Sequence, residues 1–583
     1  MTEEIVWRIA GGSGDGIDST SQNFAKALMR SGLHVFTHRH YPSRIRGGHT
    51  YVEVRAAPDP VRSRGDGYNF LLALGDSFAR NPQEEAYYGT EEIKPLTENL
   101  DDLREGGVIV YDEGLIDVEE VPDFQERVEA NDWHVYPLDL RGMARDRGRE
   151  VMRNTAGVGA AGALLEYDLG HIEDLMADAM SGEVLETNLE ILEAAYQQVD
   201  DMEFTHDLRM PTGSHDEEQV LLSGSNAIAY GALDEGCRFI SGYPMTPWTE
   251  VFTLMSQHLP EIGGIETPVV LVEAMRAGPS TGMPTKPEQA DLEHVLYTSQ
   301  GDSNRVVLAP GNAAEAYDQT RTAFQMAYDY QLPAIVLYDQ KLSGELRNVD
   351  EAFFDREPNP DLGATLSEEE IAEAAHHASG KFQRFRHDPG EDGVSPRSLP
   401  GQKGGRFLAT GNEHTPEGHL SEDTDNRVAQ LDRRMRKLGA IREELDGRES
   451  THQTLHAPVE DADYGILTFG SHQGTVEEAV DRMTAEGHSV KSLGVSALMP
   501  FPEAEVTTFL ESVEEALVVE MNGSAQFRGL VQKELGRFGP KMNSLLKYNG
   551  NPFEPAEVVE GFETILDGEE PAPTTRFVPA AGD

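Results

Sequence analysis

Cysteine is almost absent: Cys237 is the only one in 583 residues. That excludes an intramolecular disulfide and a cysteine-ligated iron–sulfur cluster held by this chain alone. Bases are scarce as well, with 48 Lys and Arg against 103 Asp and Glu, a net charge of −55. No basic face is left to meet a phosphate backbone, which argues against nucleic-acid binding. No apolar run reaches the length of a membrane span. The opening MTEEIVWRIA is acidic and lacks a signal-peptide pattern. A cytoplasmic protein is the expectation. The 19 histidines show neither an HExxH motif nor the paired spacing of a zinc site, so no metal ligand set is expected.

The acids are spread along the whole chain rather than massed in one tail. Self-repulsion on this scale disfavours a compact state at low salt. In concentrated salt the Debye length falls to about 3 Å and the penalty largely vanishes. Most of the bases are arginine. The pattern is that of a halophile that keeps salt inside the cell; the alternative is an acidic mesophilic protein with basic partners.

Hydrophobic residues make up 38% of the chain, enough for several small cores. An α/β block is expected over residues 1–200, opening with a strand in IVWRIA, the glycine-rich GGSGDG and a helix through Ser19–Arg30. NFLLAL and GVIVY read as further strands, and 155–166 and 187–197 as helices. Residues 201–219 read as an acidic linker. A second α/β block, 220–354, has strand-like CRFISGY, PVVLVEAM, SNRVVLAP and PAIVLYDQ, with a helix in TPWTEVFTLMSQH. Helix-length segments between the later strands predict a largely parallel sheet. A polar arm follows over 355–450 and carries a charged helix at 425–446. Residues 451–583 form a last α/β block. The expected fold is thus three α/β domains.

GGSGDG places backbone NH groups at a helix N-terminus, which favours an anion. Ile17 stands where a dinucleotide fingerprint needs its third glycine, so a tight turn or a phosphate near Gly14 fits better than a nicotinamide cofactor. HVFTHRHYPSRIRGGHT gathers histidines with Arg39, Arg44 and Arg46. Arg44 and Arg46 beside Gly47 suit phosphate or carboxylate, and equally suit an interface with acidic residues.

In YPMTP, Thr246 and Pro247 suit a helix start, either as plain capping or as a ligand contact at a strand end. In RAGPSTGMPT, Arg276 follows a strand directly and Ser280, Thr281 and Thr285 supply hydroxyls. One arginine with several hydroxyls suits the carboxylate and ketone of a 2-oxo acid. The alternative is a structural turn with a salt bridge.

These motifs resemble the alpha subunit of 2-oxoacid:ferredoxin oxidoreductases, in the form with a gamma-type domain fused at the N-terminus. GGSGDGIDS and SRIRGGHT resemble the gamma domain, YPMTP the substrate motif, and RAGPSTGMPTKPEQADL the family signature. SPRSLPGQKGGRFLATGNEH resembles a later arm, so the likeness spans nearly the whole chain. The resemblance implies a thiamine-diphosphate-type fold for the second block and a transketolase-C-like last block. It implies oxidative decarboxylation of a 2-oxo acid, pyruvate or 2-oxoglutarate, with the acyl group passing to coenzyme A and electrons to ferredoxin. Thiamine diphosphate with Mg2+ is shared with a beta subunit, which also holds the iron–sulfur cluster, in a heterotetramer. By motif, Thr246 and Thr285 contact substrate and Arg276 binds its carboxylate. Arg44, Arg46, Gly47 and Gly14 are the candidates for coenzyme A or another anion.

The chain departs from the pattern between YPMTP and RAGPSTG. The family has several dozen more residues there, including a glutamate that protonates the thiamine aminopyrimidine. Glu261 and Glu266 lie in the interval but in no matching context. No residue is therefore assignable to thiamine activation. The alternative function is a non-catalytic assembly subunit or an impaired paralogue.

Overall fold

The structure is a computed structural model. It describes residues 4–12, 16–41, 49–74, 95–237, 240–242, 246–247, 251, 269–297, 302, 304–354, 356–359, 361–373, 376–378, 380–408, 412–448, 453–567 and 571–580.

Along the chain the first strands are β1 (Ile5–Gly12), β2 (His34–His40), β3 (His49–Ala57), β4 (Tyr68–Ala73), β5 (Leu103–Asp112) and β6 (His134–Leu138). Then come β7 (Gln219–Ser223), β8 (Val270–Met275), β9 (Val306–Leu308), β10 (Ala334–Asp339) and β11 (Leu346–Asp350). Short β12 (His377–Ala378) and β13 (Lys381–Phe382) form a hairpin in the arm. The last block holds β14 (Thr454–His456), β15 (Tyr464–Phe469), β16 (Val490–Val495), β17 (Ala497–Met499), β18 (Glu515–Glu520), β19 (Met542–Leu546) and β20 (Arg576–Val578).

The first sheet has the order β6-β5-β4-β1-β3-β2-β11-β7. Its β1, β4, β5 and β6 are parallel, whereas β3, β2, β11 and β7 continue it antiparallel. Both faces of β1 are buried, as a continuous apolar run requires. On one side Trp7 packs against Phe24 of the helix Ile17–Arg30, ring centroids 4.5 Å apart. That helix buries Ile17, Ser21, Phe24, Ala25 and Leu28, one face at helical spacing. The other side of the sheet buries Val6, Leu71 and Ile109.

The middle sheet, β17-β9-β10-β8, is parallel through β9, β10 and β8. Its fourth strand, β17, comes from the last block and pairs antiparallel. The last sheet, β14-β16-β15-β18-β19-β20, is parallel at its centre and antiparallel at both edges. Edge strands are thus exchanged between blocks: β7 and β11 extend the first sheet, and β17 extends the middle one.

Among the described residues β8 pairs on one side only, with β10. Its sequence is that of a strand buried on both faces, yet Val269 is 55% and Leu271 48% exposed. The expected strand CRFISGY lies partly outside the described residues, and 240–242 belong to no regular element. The helix expected in TPWTEVFTLMSQH lies almost wholly outside them. No helix of the described residues is long and apolar enough to cross a membrane.

Candidate functional site

Strand β8 ends at Met275, in parallel register with Asp339 at the end of β10. Arg276 therefore stands at the carboxyl edge of a parallel sheet, where ligands gather because the chain turns away from the strand ends. Its Nη1 donates to the carbonyl of Thr246 at 2.9 Å, so the two motifs meet. The chain then folds back in a tight turn. Met283 N donates to Ala277 O at 2.8 Å, and Ala277 N to Lys286 O at 2.9 Å. Gly282 closes it with φ 50, and a Cβ there would lie 2.0 Å from the Ala277 oxygen, so only glycine fits. Gly278, Ser280 and Thr281 are left exposed at the tip.

Thr285 is turned elsewhere. It is 8% exposed, and its hydroxyl donates to the backbone oxygen of Tyr41 at 2.8 Å, tying the signature turn to the end of β2. Lys286 beside it reaches Asn551 of the last block at 3.2 Å. Burial, reinforced by Arg64, pulls its ammonium down to about 8. Opposite stand His38, His40 and His49. Burial, with the positive charges of Lys286 and Arg8, holds all three neutral, His49 down to about 4.

Gln289, fully buried, locks the turn to the last block. Its Nε2 donates to Phe469 O at 3.0 Å, and its Oε1 accepts from Met521 N at 3.1 Å. Three carboxyls flank the turn. Burial pushes Glu273, Glu288 and Asp291 above the usual carboxylate range, with Asp291 adding to the effect on Glu273 and Glu288. Glu288 accepts from the Gly278 amide at 3.0 Å.

Gly14, Arg44, Arg46 and Gly47 lie outside the described residues, but the segments that flank them are placed. A cavity of about 590 Å³ is lined by Gly12, Gly16, Arg39, His40, Tyr41 and Thr50. Arg39 pairs with Asp18 at 3.0 Å. The Thr50 hydroxyl is buried and has no hydrogen-bond partner. Tyr41 both lines this cavity and accepts the Thr285 bond, so the cavity adjoins the signature turn.

Sequence reasoning singled out Arg276, Thr246 and Thr285, and the structure joins the first two directly. It missed Tyr41 and Gln289 as the anchors of the turn. A backbone acceptor has no sequence signal, and a buried glutamine in PEQADL reads as polar surface.

Comparison with known proteins fits this geometry. Residues 6–198 match the pyruvate ferredoxin/flavodoxin oxidoreductase family. Residues 252–433 match the thiamine-diphosphate-binding domain family of pyruvate flavodoxin/ferredoxin oxidoreductases. Residues 462–558 match core domain II of pyruvate:ferredoxin oxidoreductase. The α/β fold and these matches define an oxidoreductase subunit with a thiamine-type domain. More specifically, the family models and the names of the relatives support an alpha subunit of the 2-oxoacid:ferredoxin oxidoreductase type.

The alpha subunit of a Sulfolobus 2-oxoacid:ferredoxin oxidoreductase is 25% identical over 647 positions, covering 97% of this chain and 98% of the relative. The alpha subunit of 2-oxoacid:ferredoxin oxidoreductase 2 of Aeropyrum pernix is 26% identical over 669 positions, with the same coverage of 97% and 98%. The solved 2-oxoglutarate:ferredoxin oxidoreductase of Magnetococcus marinus, with 2-oxoglutarate, coenzyme A and succinyl-CoA bound, superposes with a TM-score of 0.81 at 25% identity over 97% of this chain and 99% of that one. In the first alignment, 97% of 583 residues fills about 566 of the 647 positions, so about 80 positions of the relative have no counterpart here.

Proposed function

We propose that this chain, with its N-terminal gamma-type block, works with a beta subunit in the coenzyme-A-dependent oxidative decarboxylation of a 2-oxo acid. Pyruvate and 2-oxoglutarate are the candidate substrates, and ferredoxin the electron acceptor. The observation that carries the reading is Arg276 at the carboxyl edge of β8, its guanidinium bonded to Thr246. In this reading Arg276 grips the substrate carboxylate and the Thr246 segment positions it. The Thr285 hydroxyl, directed at Tyr41, acts by fixing the turn or by turning back to the ligand. The relatives' names and the 2-oxoglutarate and coenzyme A of the Magnetococcus enzyme support the reaction class. The cavity between Gly16, Arg39 and Thr50, with Arg44, Arg46, Gly47 and Gly14 beside it in sequence, is the proposed anion site for coenzyme A.

Thiamine diphosphate with Mg2+ would supply the electron sink for decarboxylation, and the iron–sulfur cluster belongs to the beta subunit. Activation of the thiamine needs a carboxylate at its aminopyrimidine. The carboxyls that flank the turn do not fit that need: Glu288 is engaged by the Gly278 amide, and burial with the Asp291 charge pushes Glu273 above the usual carboxylate range.

A second reading is favoured by the positions of the Sulfolobus subunit that have no counterpart here. In it the chain keeps the assembly surfaces and has lost thiamine activation. Co-purification with the beta subunit from multimolar KCl separates the two. The complex is assayed with each 2-oxo acid, coenzyme A and a low-potential acceptor. Coenzyme-A-dependent turnover supports the enzyme; a stable complex with none supports the assembly subunit. The proposed setting is the cytoplasm of a halophile, where salt screens the net charge of −55.

A further inference from the structure

The helix Thr424–Asp446 in the arm is turned inside out. Its buried face consists of Asn426, Gln430, Arg433, Lys437, Ile441 and Leu445. Its apolar residues Val428, Leu431, Met435 and Leu438 recur at spacings of three and four on the opposite face. Val428 is 58% and Met435 42% exposed. A helix whose polar side faces the protein normally rotates to hide its apolar side. This one is prevented from doing so. Gln430 donates to Phe385 O at 2.8 Å, Lys437 to Tyr330 O at 2.7 Å, and Arg433 to Gly393 O at 3.4 Å. The inward bonds therefore fix the apolar stripe outward.

We propose that this stripe docks against the same stripe of a second copy of this chain, the two helices side by side and parallel. Val428, Leu431, Met435 and Leu438 occupy alternating seam positions of a heptad pattern, the arrangement that lets two helices interlock. The flanking charges choose the partner and the direction. Asp425 and Asp432 border the seam on one side, Arg427 and Arg434 on the other. In a parallel two-fold pair, Arg427 faces Asp432 of the second copy, and the reverse contact repeats it. An antiparallel pair would set Asp against Asp and Arg against Arg. Both arginines also hold Glu413 of their own chain, at 2.6 and 2.7 Å, which steadies them beside the seam. The stripe covers roughly three helical turns, short for a coiled coil standing alone. The seam stops at Arg442, which turns to Glu503 at 2.9 Å.

The test uses the full chain assembled with its beta subunit in multimolar KCl. Met435→Cys is oxidised mildly and run on a non-reducing gel. A covalent dimer of this chain is expected, and equally with Val428→Cys; the wild type, whose Cys237 is buried, should give none. In a second arm, Val428→Asp with Met435→Asp should halve the mass read by light scattering while leaving the circular dichroism native, because both residues are exposed. An unchanged mass in the double variant overturns the proposal. So does cross-linking of Met435→Cys to a different polypeptide, or cross-linking only between Val428→Cys and Leu438→Cys chains when mixed, which marks an antiparallel pair.

Discussion

Arg276 and Thr246, 30 residues apart, are joined by a hydrogen bond of 2.9 Å from the guanidinium to the backbone carbonyl. The bond holds the guanidinium at the end of β8. A fork held this way is preorganised, so less side-chain entropy is lost when a carboxylate arrives.

The first prediction follows. In an active complex Arg276→Ala should weaken the apparent affinity for the 2-oxo acid by about 2–5 kcal/mol, the cost of truncating one partner of a buried charge pair. Arg276→Lys should recover only part, because a point charge replaces the fork. Steady-state kinetics checks both variants, and unchanged constants would remove Arg276 from the site.

Thr285 tests whether the turn needs its anchor. Thr285→Val keeps the volume and loses the bond to Tyr41. Destabilisation of about 0.5–1.5 kcal/mol is expected, with Thr285→Ser close to wild type. Chemical denaturation at fixed high salt measures it. If Thr285→Val is as stable as wild type yet loses substrate affinity, the hydroxyl serves the ligand instead of the turn.

Glu478 carries the acid sensitivity of the contact between the first and last blocks. Burial pushes its carboxyl up, but Arg55, Ser63 and Arg482 outweigh burial and bring it down to about 2. Its Oε2 accepts from Arg55 Nη1 at 2.8 Å. Because the folded value lies below the ordinary 4.5, the stabilisation is complete above that pH and is lost as pH falls towards 2. The shift corresponds to about 3 kcal/mol. Glu478→Gln should flatten the stability profile between those limits and lower the plateau at neutral pH. Urea midpoints across the range check it, and parallel profiles for variant and wild type would count against it.

Salt dependence tests the charge argument. With a net charge of −55, the chain should lose structure below moderate salt and hold it in multimolar KCl. Arg8, enclosed by Glu53 and by the rings of Tyr51 and Tyr68 at 4.2 and 3.9 Å, is buried from the solvent and should be among the last contacts to respond. Circular dichroism over a salt titration decides, and a native spectrum in dilute buffer would refute the halophile reading.

Much of this was legible in the sequence. Apolar runs announced β1, β4, β5, β8, β9 and β10, because a strand with an apolar core run needs no partner to be seen. β2 was hidden: HVFTHRH reads as a cluster of bases, yet it is a strand whose histidines are neutral and interior. Short β14, β19 and β20 owe their form to neighbours in the sheet more than to their own residues. At the site, Arg276 and the hydroxyls were visible because positive charge is scarce in this chain. Which way each hydroxyl points was not, since Thr285 is fixed by a backbone atom 244 residues away.

The last prediction concerns β8. Among the described residues β8 pairs only with β10, and Val269 and Leu271 are exposed. About 80 positions of the Sulfolobus subunit have no counterpart here. The proposed reaction requires a carboxylate to activate the thiamine, and a positioned acid–base group is typically worth about 10²–10⁴-fold in rate. Glu261 and Glu266, two of the three acids between Thr246 and Val269, lie in the interval where the family's glutamate belongs but in no matching context. The chain as it stands, paired with its beta subunit, should therefore assemble and turn over 2-oxo acid very poorly. Inserting a strand–helix segment from a related alpha subunit between 247 and 269 should restore activity and cover β8, read as hydrogen-exchange protection of Val270–Met275. Full activity of the unmodified chain would show that Glu261, Glu266 or a residue of the beta subunit performs the proton transfer. Single Glu→Gln variants at the two positions would then say which.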